Sequence, residues 1–461
     1  MAAAASLSLT ACGGSGGSDN GSVLPPPPPP PGSINWGAPT TLASNAQIAA
    51  LGAAVATDGA VTVAWPQTQL VLPNTTTPTP VPYVVGRSQT AASTTWNALQ
   101  LFESVNAGNA ASDAIADLQG SGAGPSAVFA WRRSTSALDR LAAARRDASG
   151  SSDAVVNEAP LALGMSGVAL ASNDAGDQVI AWVQAPSTGA LAQVYVSRRS
   201  GAGTWSAPLL IQTNTGAAAS EPAVAVDTAG RAMVVWRQGS PAAQLWSRVI
   251  DASGTLGAPV QVELNQLNDA RNPRLADLAT NQFMLTWEQG LVGATGYDLR
   301  ATRWTGAGWL AAPTTIDIGV GSVLDARVVS GPLQGATVFW RQDNVLQAAR
   351  FSASNGTWSA PVQLSASLPG SAQDIRAVSD ATGNATVVWT QRPPGGVNDL
   401  YAAQLSASSG SFSSPALLES NAGGAGTPAL AINGTGVAVV AWLQSVAGQV
   451  NPDIVARVAR P

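Results

Sequence analysis

The titratable side chains of this chain exclude most of the familiar catalytic chemistries. The sequence contains no histidine and no lysine, and its 22 basic residues are all arginine. Serine–histidine and cysteine–histidine catalysis, lysine Schiff bases and histidine-ligated metal sites therefore have no residues to use. Carboxylates, tyrosine, arginine and oxygen-ligated metals remain available, but no acidic calcium loop of the EF-hand type occurs. We expect no cofactor and no metal.

Carboxylate chemistry needs two acidic side chains that face each other across a substrate. The glutamates of the chain are Glu103, Glu158, Glu221, Glu263, Glu288 and Glu419. The sequence does not show which of them, if any, form a pair. We therefore assign no catalytic residue and expect a protein that is not an enzyme, while a carboxylate-dependent glycoside hydrolase or lyase is the alternative.

Five residues are the candidates for ligand binding because they depart from a repeated pattern described below. Trp246 and Trp304 are the two tryptophans outside the repeated positions, where they could stack on sugar rings or pack against neighbouring structure. Arg237, Arg341 and Glu288 each follow a repeated tryptophan directly. Other copies have neutral residues or Arg132 there, so this position predicts a mixed-charge patch if it faces a common surface, and a solvated strand end otherwise.

These candidates are set in an internal repeat of about 50 residues. Glu221–Pro259 is its clearest copy and reads as four short strands separated by turns. Glutamine occurs two residues after the repeated tryptophan in seven copies, and an arginine closes the third strand in seven copies. The repeated tryptophans, called anchor tryptophans below, are Trp65, Trp131, Trp182, Trp236, Trp287, Trp340, Trp389 and Trp442.

Eight four-stranded repeats predict an all-β fold, an eight-bladed β-propeller. The strands are apolar almost without alternation, which indicates that both of their faces are covered by neighbouring blades. Ile34–Leu42 matches the fourth strand of the repeat, and 453–460 matches the third. We therefore predict that the N-terminal strand completes the last blade and closes the ring. Pro66–Pro82 reads as a long loop in the first copy.

The repeated arginine and glutamine are predicted to be structural, since a side chain that recurs in seven copies serves every blade alike. The arginine would stack on tryptophan or bond a backbone carbonyl, and the glutamine would bridge strands. Residues that break the repeat are better candidates for binding.

The first residues resemble the end of a bacterial lipoprotein signal peptide. Leu9-Thr-Ala-Cys12 matches the lipobox of that family, although no arginine precedes the apolar segment. The resemblance implies cleavage before Cys12, lipidation of that cysteine and a cell-envelope location, and Gly13 points to the outer membrane. The predicted domains are a signal peptide over 1–12, a Gly/Ser/Pro-rich disordered linker over 13–33, and the propeller over 34–461.

The fourth-strand segments Gly203–Pro208 and Gly356–Pro361 both read Gly-Thr-Trp-Ser-Ala-Pro. They resemble a degenerate form of the Asp-box repeat of sialidase-type propellers, although no aspartate occupies the turn. This resemblance implies propeller architecture. The active site of that family uses three arginines from different blades, a Tyr–Glu pair and an aspartate, and none of these roles can be assigned to a position here.

The composition narrows the choice of partners. Charged residues make up 11% of the chain and the net charge is −5, which argues against a nucleic-acid partner. We predict a monomeric, lipid-anchored binding protein of the bacterial envelope, attached to the membrane through Cys12, with a glycan, peptide or envelope protein as ligand. A scaffold lipoprotein of an envelope assembly is a further alternative, by analogy with the propeller lipoprotein of the outer-membrane barrel-assembly machine.

Overall fold

The computed structural model describes residues 34–461 except 49, 72–78, 104–109, 111–112, 149, 202, 240–241, 263–267, 294, 311, 320 and 420. The predicted signal peptide with Cys12 and the predicted linker lie outside these residues. Within the described part of the chain, regular structure consists of strands and two single-turn 3₁₀ helices, Leu161–Leu163 and Pro332–Gln334. No helix in this part is long and apolar enough to span a membrane.

After one N-terminal strand, six of the blades each contain four consecutive strands, blade 6 contains five and blade 8 contains three. The first five blades contain, in chain order after β1 (Thr40–Ala43): blade 1, β2 (Gly52–Val55), β3 (Val61–Val71), β4 (Thr79–Gln89) and β5 (Gln100–Leu101); blade 2, β6 (Ala114–Ala123), β7 (Ser126–Ser134), β8 (Leu138–Asp147) and β9 (Gly150–Pro160); blade 3, β10 (Ser166–Ser172), β11 (Gln178–Gln184), β12 (Gln193–Arg199) and β13 (Leu209–Leu210); blade 4, β14 (Ala219–Val226), β15 (Ala232–Gln238), β16 (Gln244–Ile250) and β17 (Val260–Gln261); blade 5, β18 (Asn268–Ala279), β19 (Gln282–Leu291), β20 (Asp298–Trp304) and β21 (Thr314–Thr315).

The remaining strands complete the ring. They are: blade 6, β22 (Leu324–Ser330), β23 (Ala336–Gln342), β24 (Val345–Ser352), β25 (Thr357–Trp358) and β26 (Val362–Gln363); blade 7, β27 (Ser371–Ser379), β28 (Ala385–Arg392), β29 (Asp399–Leu405) and β30 (Ala416–Leu417); blade 8, β31 (Ala425–Ile432), β32 (Ala438–Gln444) and β33 (Asp453–Ala459).

Each blade is an antiparallel sheet whose strands pair in chain order, and the eight blades form a ring. The first strand of each blade is innermost and lines a central channel. Blade 8 takes its fourth strand from the start of the chain, because β1 pairs with β33 and Trp36 bridges Ala459. The predicted eight-bladed propeller, closed by its N-terminal strand, is therefore confirmed.

Two early copies differ from their expected outlines. The predicted loop over Pro66–Pro82 is wrong, because β3 and β4 stay paired as one long hairpin as far as Val71 opposite Thr79. In blade 2, the fourth strand β9 has 11 residues instead of the usual two. β9 pairs with β8 from Asp147 opposite Gly150 to Leu138 opposite Pro160, with one register shift between Leu141 and Ala142.

The core is divided into eight apolar clusters, one between each pair of neighbouring blades, and each contains one anchor tryptophan. All eight anchor indoles are completely or almost completely buried. In seven blades the indole Nε1 donates a hydrogen bond to the glutamine two residues later, with N–O distances of 2.7 to 3.4 Å. This satisfies the one polar atom of a buried ring that otherwise contributes apolar area.

The repeated glutamine also connects strands to loops. In blades 4, 6, 7 and 8 its Nε2 donates to a carbonyl of the loop that enters the same blade, as from Gln238 to Asn214 at 2.7 Å and from Gln444 to Gly423 at 2.7 Å. Blade 2 has Arg133 in this position, and the Trp131 indole has no described hydrogen-bond partner. The predicted bridging role of the glutamine therefore agrees with the structure, but the bridge runs from the anchor indole to a loop.

The repeated third-strand arginines reach backbone carbonyls between blades. Arg248 donates to Ile211 at 2.9 Å, and Arg350 donates to Gly410 of the next blade at 3.0 Å. Arg303 lies over the Phe351 ring at 5.6 Å. These contacts stabilise blade packing, as the sequence predicts for a residue common to seven copies.

The anchor tryptophans are predicted to dominate stability. Replacing Trp389 with alanine should lower the free energy of unfolding by about 3–5 kcal/mol, because it empties a fully enclosed interblade site. Replacing the half-buried Trp358 of the outer strand with alanine is the control and should cost about 1 kcal/mol. Urea unfolding followed by circular dichroism measures both, and equal costs for the two variants would contradict the assignment.

Candidate functional site

The innermost strands share a bulge near their start, at the mouth of the channel. In seven blades the strand pairing is interrupted there. The residue in the bulge has a positive φ, a conformation that aspartate, asparagine and glycine tolerate best. These seven residues, called the bulge ring below, are Asp117, Gly167, Glu221, Asn272, Asp325, Asp374 and Thr427.

The position two residues after the bulge divides the ring into unequal parts. Five blades have an uncharged residue there: Gly52 by register in blade 1, Gln119, Ala169, Ala223 and Ala429. Blades 5, 6 and 7, which are consecutive, have Arg274, Arg327 and Arg376. We call these three residues the arginine cluster. A repeat that has uncharged residues at this position in five blades has thus placed three cations side by side in one sector of the channel.

The guanidinium groups of the cluster are oriented by their own backbone. Each Nη1 donates to the carbonyl of the preceding residue, at 2.9 Å from Arg274 to Pro273 and at 2.8 Å from Arg327 to Ala326. Arg376 makes the same bond to Ile375 at 2.9 Å. This repeated contact uses one N–H of each group and leaves the others available to a ligand.

Carboxylates neutralise the cluster incompletely. Arg327 forms an ion pair with Asp325 at 2.5 Å, in which the arginine side chain is 20% exposed and the aspartate 28%. Arg274 and Arg376 form no ion pair with any described residue within 4.0 Å. Burial lowers the pKa of Arg327 to about 10, and the nearby charge of Arg274 acts in the same direction. Burial also lowers the pKa of Arg274.

The sector of the channel around the arginine cluster therefore carries positive charge that nearby carboxylates neutralise only in part. Desolvation disfavours the charged forms of Arg274 and Arg327, and neighbouring like charges disfavour them further. An anion that entered the sector would relieve both effects at once.

A cavity of about 540 Å³ opens beside the cluster. Two members of the cluster line it together with two members of the bulge ring; the lining residues are Asp325, Arg327, Arg341, Gln373, Asp374, Ile375 and Arg376. Its volume is within the range of small-molecule sites in proteins. The structure therefore combines a cavity, at least three cations and two carboxylates at one mouth of the channel.

The carboxylates of the bulge ring have structural contacts of their own. Glu221 accepts the backbone N–H of Asn272 in the next blade at 2.6 Å, and Asp325 accepts that of Ile375 at 2.9 Å. Asp374 accepts the Thr390 hydroxyl at 3.2 Å. Within the described residues, no group of three or more acidic or cysteine side chains is arranged to hold a metal ion.

The residues that follow the anchor tryptophans lie behind the bulge ring. Arg341 lines the cavity and donates to the Ala372 carbonyl at 3.4 Å. Arg237 lies further around the ring, where it pairs with Asp269 at 2.8 Å. Glu288 is 0% exposed and pairs with Arg271 at 2.7 Å. Of these three residues only Arg341 lines the cavity, and Glu288 is buried, so the positions after the anchor tryptophans do not share one exposed surface.

Burial raises the pKa of Glu288, an effect opposed by its contacts with Asn272 and Arg271 and by the charge of Arg274. Its Oε1 has no described hydrogen-bond partner. The Glu288 carboxyl group interacts electrostatically with Arg274 and Arg327, but it does not line the cavity.

The two candidate tryptophans lie away from the channel mouth. Trp246 is half-buried against the core cluster between blades 3 and 4, and it faces Trp236 in the strand pairing. Trp304 is 8% exposed, packs edge-on against Trp309 at 5.6 Å, and donates to Asn281 at 3.2 Å. Their surroundings match the packing alternative that the sequence left open.

The arginine cluster was missed in the sequence, although a signal for it exists. Three consecutive copies begin their first strand with an acid or amide, one residue, and an arginine: Asn272-Pro-Arg274, Asp325-Ala-Arg327 and Asp374-Ile-Arg376. The three arginines have the same spacing as the anchor tryptophans. Alignment on the first strand, where the repeat is least regular, would have shown three charges at one structural position.

Comparisons with known proteins give distant structural likenesses. No protein-family model matches the sequence, and no curated protein matches it. Among solved structures, the chain is similar to an alpha-L-arabinanase from Penicillium chrysogenum (TM-score 0.42, 10% identity, covering 92% of this chain and 98% of that one). It is also similar to the β-propeller domain of the Trilobed protease from Pyrococcus furiosus (0.43, 8%, 74% and 94%) and to the Hadza microbial sialidase Hz136 (0.39, 12%, 71% and 74%).

These structures correct one expectation. From the sequence we expect a protein that is not an enzyme. Several of the similar structures are enzymes, among them the arabinanase, the sialidase and a GH62 alpha-L-arabinofuranosidase from Coprinopsis cinerea. The lack of histidine and lysine does not exclude catalysis on a propeller, because carboxylates, tyrosine and arginine are sufficient for glycoside chemistry. At these identities the likeness itself concerns the fold alone.

Proposed function

We propose that this propeller binds an anionic ligand at the channel mouth, with a carboxylate of the ligand among Arg274, Arg327 and Arg376. The observation that carries the proposal is the placement of three guanidinium groups in consecutive blades with one ion pair among them. Arginine presents several N–H donors in a planar fork that matches carboxylate oxygens. Arg341 adds a fourth guanidinium to the lining of the cavity.

The electrostatics of the cluster support a ligand site over a structural role. The repeated third-strand arginines occur in seven copies, and Arg198, Arg248 and Arg350 among them bond carbonyls across blades, whereas the cluster occurs in three copies. Its members bond the carbonyls of their own strands and repel one another. Such an arrangement costs stability, and functional sites are where proteins retain costs of this kind.

Citrate is a suitable probe of the cluster because it carries several carboxylates. We expect it to bind the full propeller in low-salt buffer at pH 7, where screening is weak. Replacing Arg327 with methionine should weaken citrate binding by about 10- to 100-fold, the cost of losing a charge-assisted hydrogen bond. Isothermal titration calorimetry measures the affinity.

Arg140→Ala, on the outer part of blade 2, is the matched control and should leave citrate affinity unchanged. The free energy of unfolding of Arg327→Met should stay within about 2 kcal/mol of that of the unaltered protein, because loss of the repulsion from Arg274 offsets loss of the ion pair with Asp325. Unchanged citrate affinity in Arg327→Met, or an equal loss in Arg140→Ala, would refute the proposal.

A second candidate function is carboxylate-dependent glycoside hydrolysis. The observation in its favour is that Asp325 and Asp374 line the same cavity as Arg327, Arg341 and Arg376. Two carboxylates beside a bound sugar are what this chemistry requires.

Hydrolysis is tested by release of reducing ends from acidic and neutral oligosaccharides. On this second candidate, Asp374→Asn should abolish turnover while Arg140→Ala retains it. Equal turnover in Asp374→Asn and the unaltered protein would remove Asp374 from the reaction.

We also propose that the propeller is attached to a bacterial envelope membrane as a monomer, through lipid on Cys12. The support for this is the lipobox-like Leu9–Cys12 segment followed by a proline-rich spacer. Expressed in a bacterial host, the protein should carry acyl groups on Cys12 by mass spectrometry of its N-terminal peptide and should fractionate with membranes. Cys12→Ser should lose both properties. A soluble, unacylated product from the unaltered sequence would contradict the anchor.

A further inference from the structure

A second and larger cavity lies beside the arginine cluster at the same mouth of the channel. It has a volume of about 960 Å³ and lies between blades 7 and 8. Thr427 and Leu443 line it, and these are the blade 8 equivalents of Asp325 and Arg341 in the cluster cavity. The two cavities are therefore built from the same repeat positions in nearby blades. We call the larger one the blade 7–8 groove.

The lining of the blade 7–8 groove differs in character from that of the cluster cavity. Backbone and small side chains form much of it, with Gly396, Gly423, Gly424 and Gly426 among them. Aliphatic side chains such as Val397 and Leu443 form apolar parts, and Asn398, Asn421 and Ser445 supply polar groups. The groove also contains one cation and one carboxylate, Arg392 and Asp453. No aromatic ring is among the described lining residues, so nothing there can stack on a sugar ring.

Glycine in the wall matters because it lets another backbone approach closely. Extended peptides are recognised through main-chain hydrogen bonds, with shallow apolar pockets for alternate side chains. The amides, serine and aliphatic groups of the groove provide both kinds of contact. A terminal carboxylate is the one charge that every free peptide end carries, and the cluster beside the groove is cationic.

We infer that the ligand is an extended peptide, with its C-terminal carboxylate at the arginine cluster and its preceding residues in the blade 7–8 groove. This inference rests on the proposed function, which supplies the carboxylate site. It adds the class of ligand and the direction in which the ligand runs. Arg376 lines the cluster cavity from β27, and β27 packs against β31, the strand that carries Gly426 and Thr427 of the groove.

Gly426 offers a way to block the groove. A Cβ at this glycine meets no atom within 4 Å, its φ is not in the left-handed region, and it lines the groove. Gly426→Trp should therefore fill the groove without disturbing the strand. Gly308→Trp is the matched control, because a Cβ there also meets nothing within 4 Å and Gly308 follows β20, outside the groove.

The test compares the affinities of acetyl-alanine, acetyl-tetraalanine and acetyl-tetraalanine amide by calorimetry. We expect the tetrapeptide acid to bind about tenfold more tightly than acetyl-alanine, through its added main-chain hydrogen bonds, and the amide to lose binding. Gly426→Trp should remove the advantage of the tetrapeptide but leave acetyl-alanine binding unchanged. Gly308→Trp should change neither affinity.

The outcomes separate the two proposals. Loss of both ligands in Arg327→Met, with no effect of Gly426→Trp, overturns the peptide inference and leaves the carboxylate site standing. Binding of both ligands unaffected by Arg327→Met overturns the proposed function itself. A length-dependent gain shown by oligogalacturonate instead of the peptides, and blocked by Gly426→Trp, overturns the peptide inference in favour of a glycan.

Discussion

Burial of one indole between each pair of blades is the interaction on which this structure depends. An anchor tryptophan removes a large apolar area from water, and its N–H is satisfied by the glutamine two residues later. In several blades that glutamine also holds the loop that enters the blade. One short motif therefore connects an indole, a strand and a loop. Seven blades carry the motif, and the eighth, blade 2, keeps the tryptophan with Arg133 in place of the glutamine.

Packing through the anchor indoles on the second strands lets the innermost strands differ from blade to blade. The position two residues after the bulge contributes to an interblade cluster as Ala429 in blade 8, but blades 5, 6 and 7 assemble with arginine there. Five blades have uncharged residues there, and three have arginine. Placing three like charges together lowers the stability of the fold. The interblade clusters with the anchor tryptophans supply enough stability to tolerate this loss, and repeat folds accommodate binding sites in this way.

The fold could be predicted from the sequence because its determinants are local and repeated. Tryptophan, glutamine and arginine at fixed offsets identify the second and third strands, and the matching fragments at the two ends indicate closure of the ring. The site could not be predicted in the same way. Arg327 gains its meaning from Arg274 and Arg376, which are far away in sequence and adjacent only when the first strands of blades 5, 6 and 7 form the channel wall.

Composition was a weaker guide than repetition. The absence of histidine and lysine correctly limits the available chemistry, but it does not distinguish a binding protein from a carboxylate enzyme. Trp246 and Trp304 attract attention as exceptions to the tryptophan pattern, yet they pack within the blades. The informative exceptions were arginines on the innermost strands, where the surrounding residues are small and the bulge gives the backbone a positive φ.

Anomalous diffraction from crystals grown in selenate would show whether the arginine cluster binds anions, because it locates bound anions without assuming a natural ligand. We expect an ordered selenate in contact with Arg327 and at least one of Arg274 and Arg376. Selenate bound at third-strand arginines such as Arg248, with none at the channel mouth, would contradict this expectation.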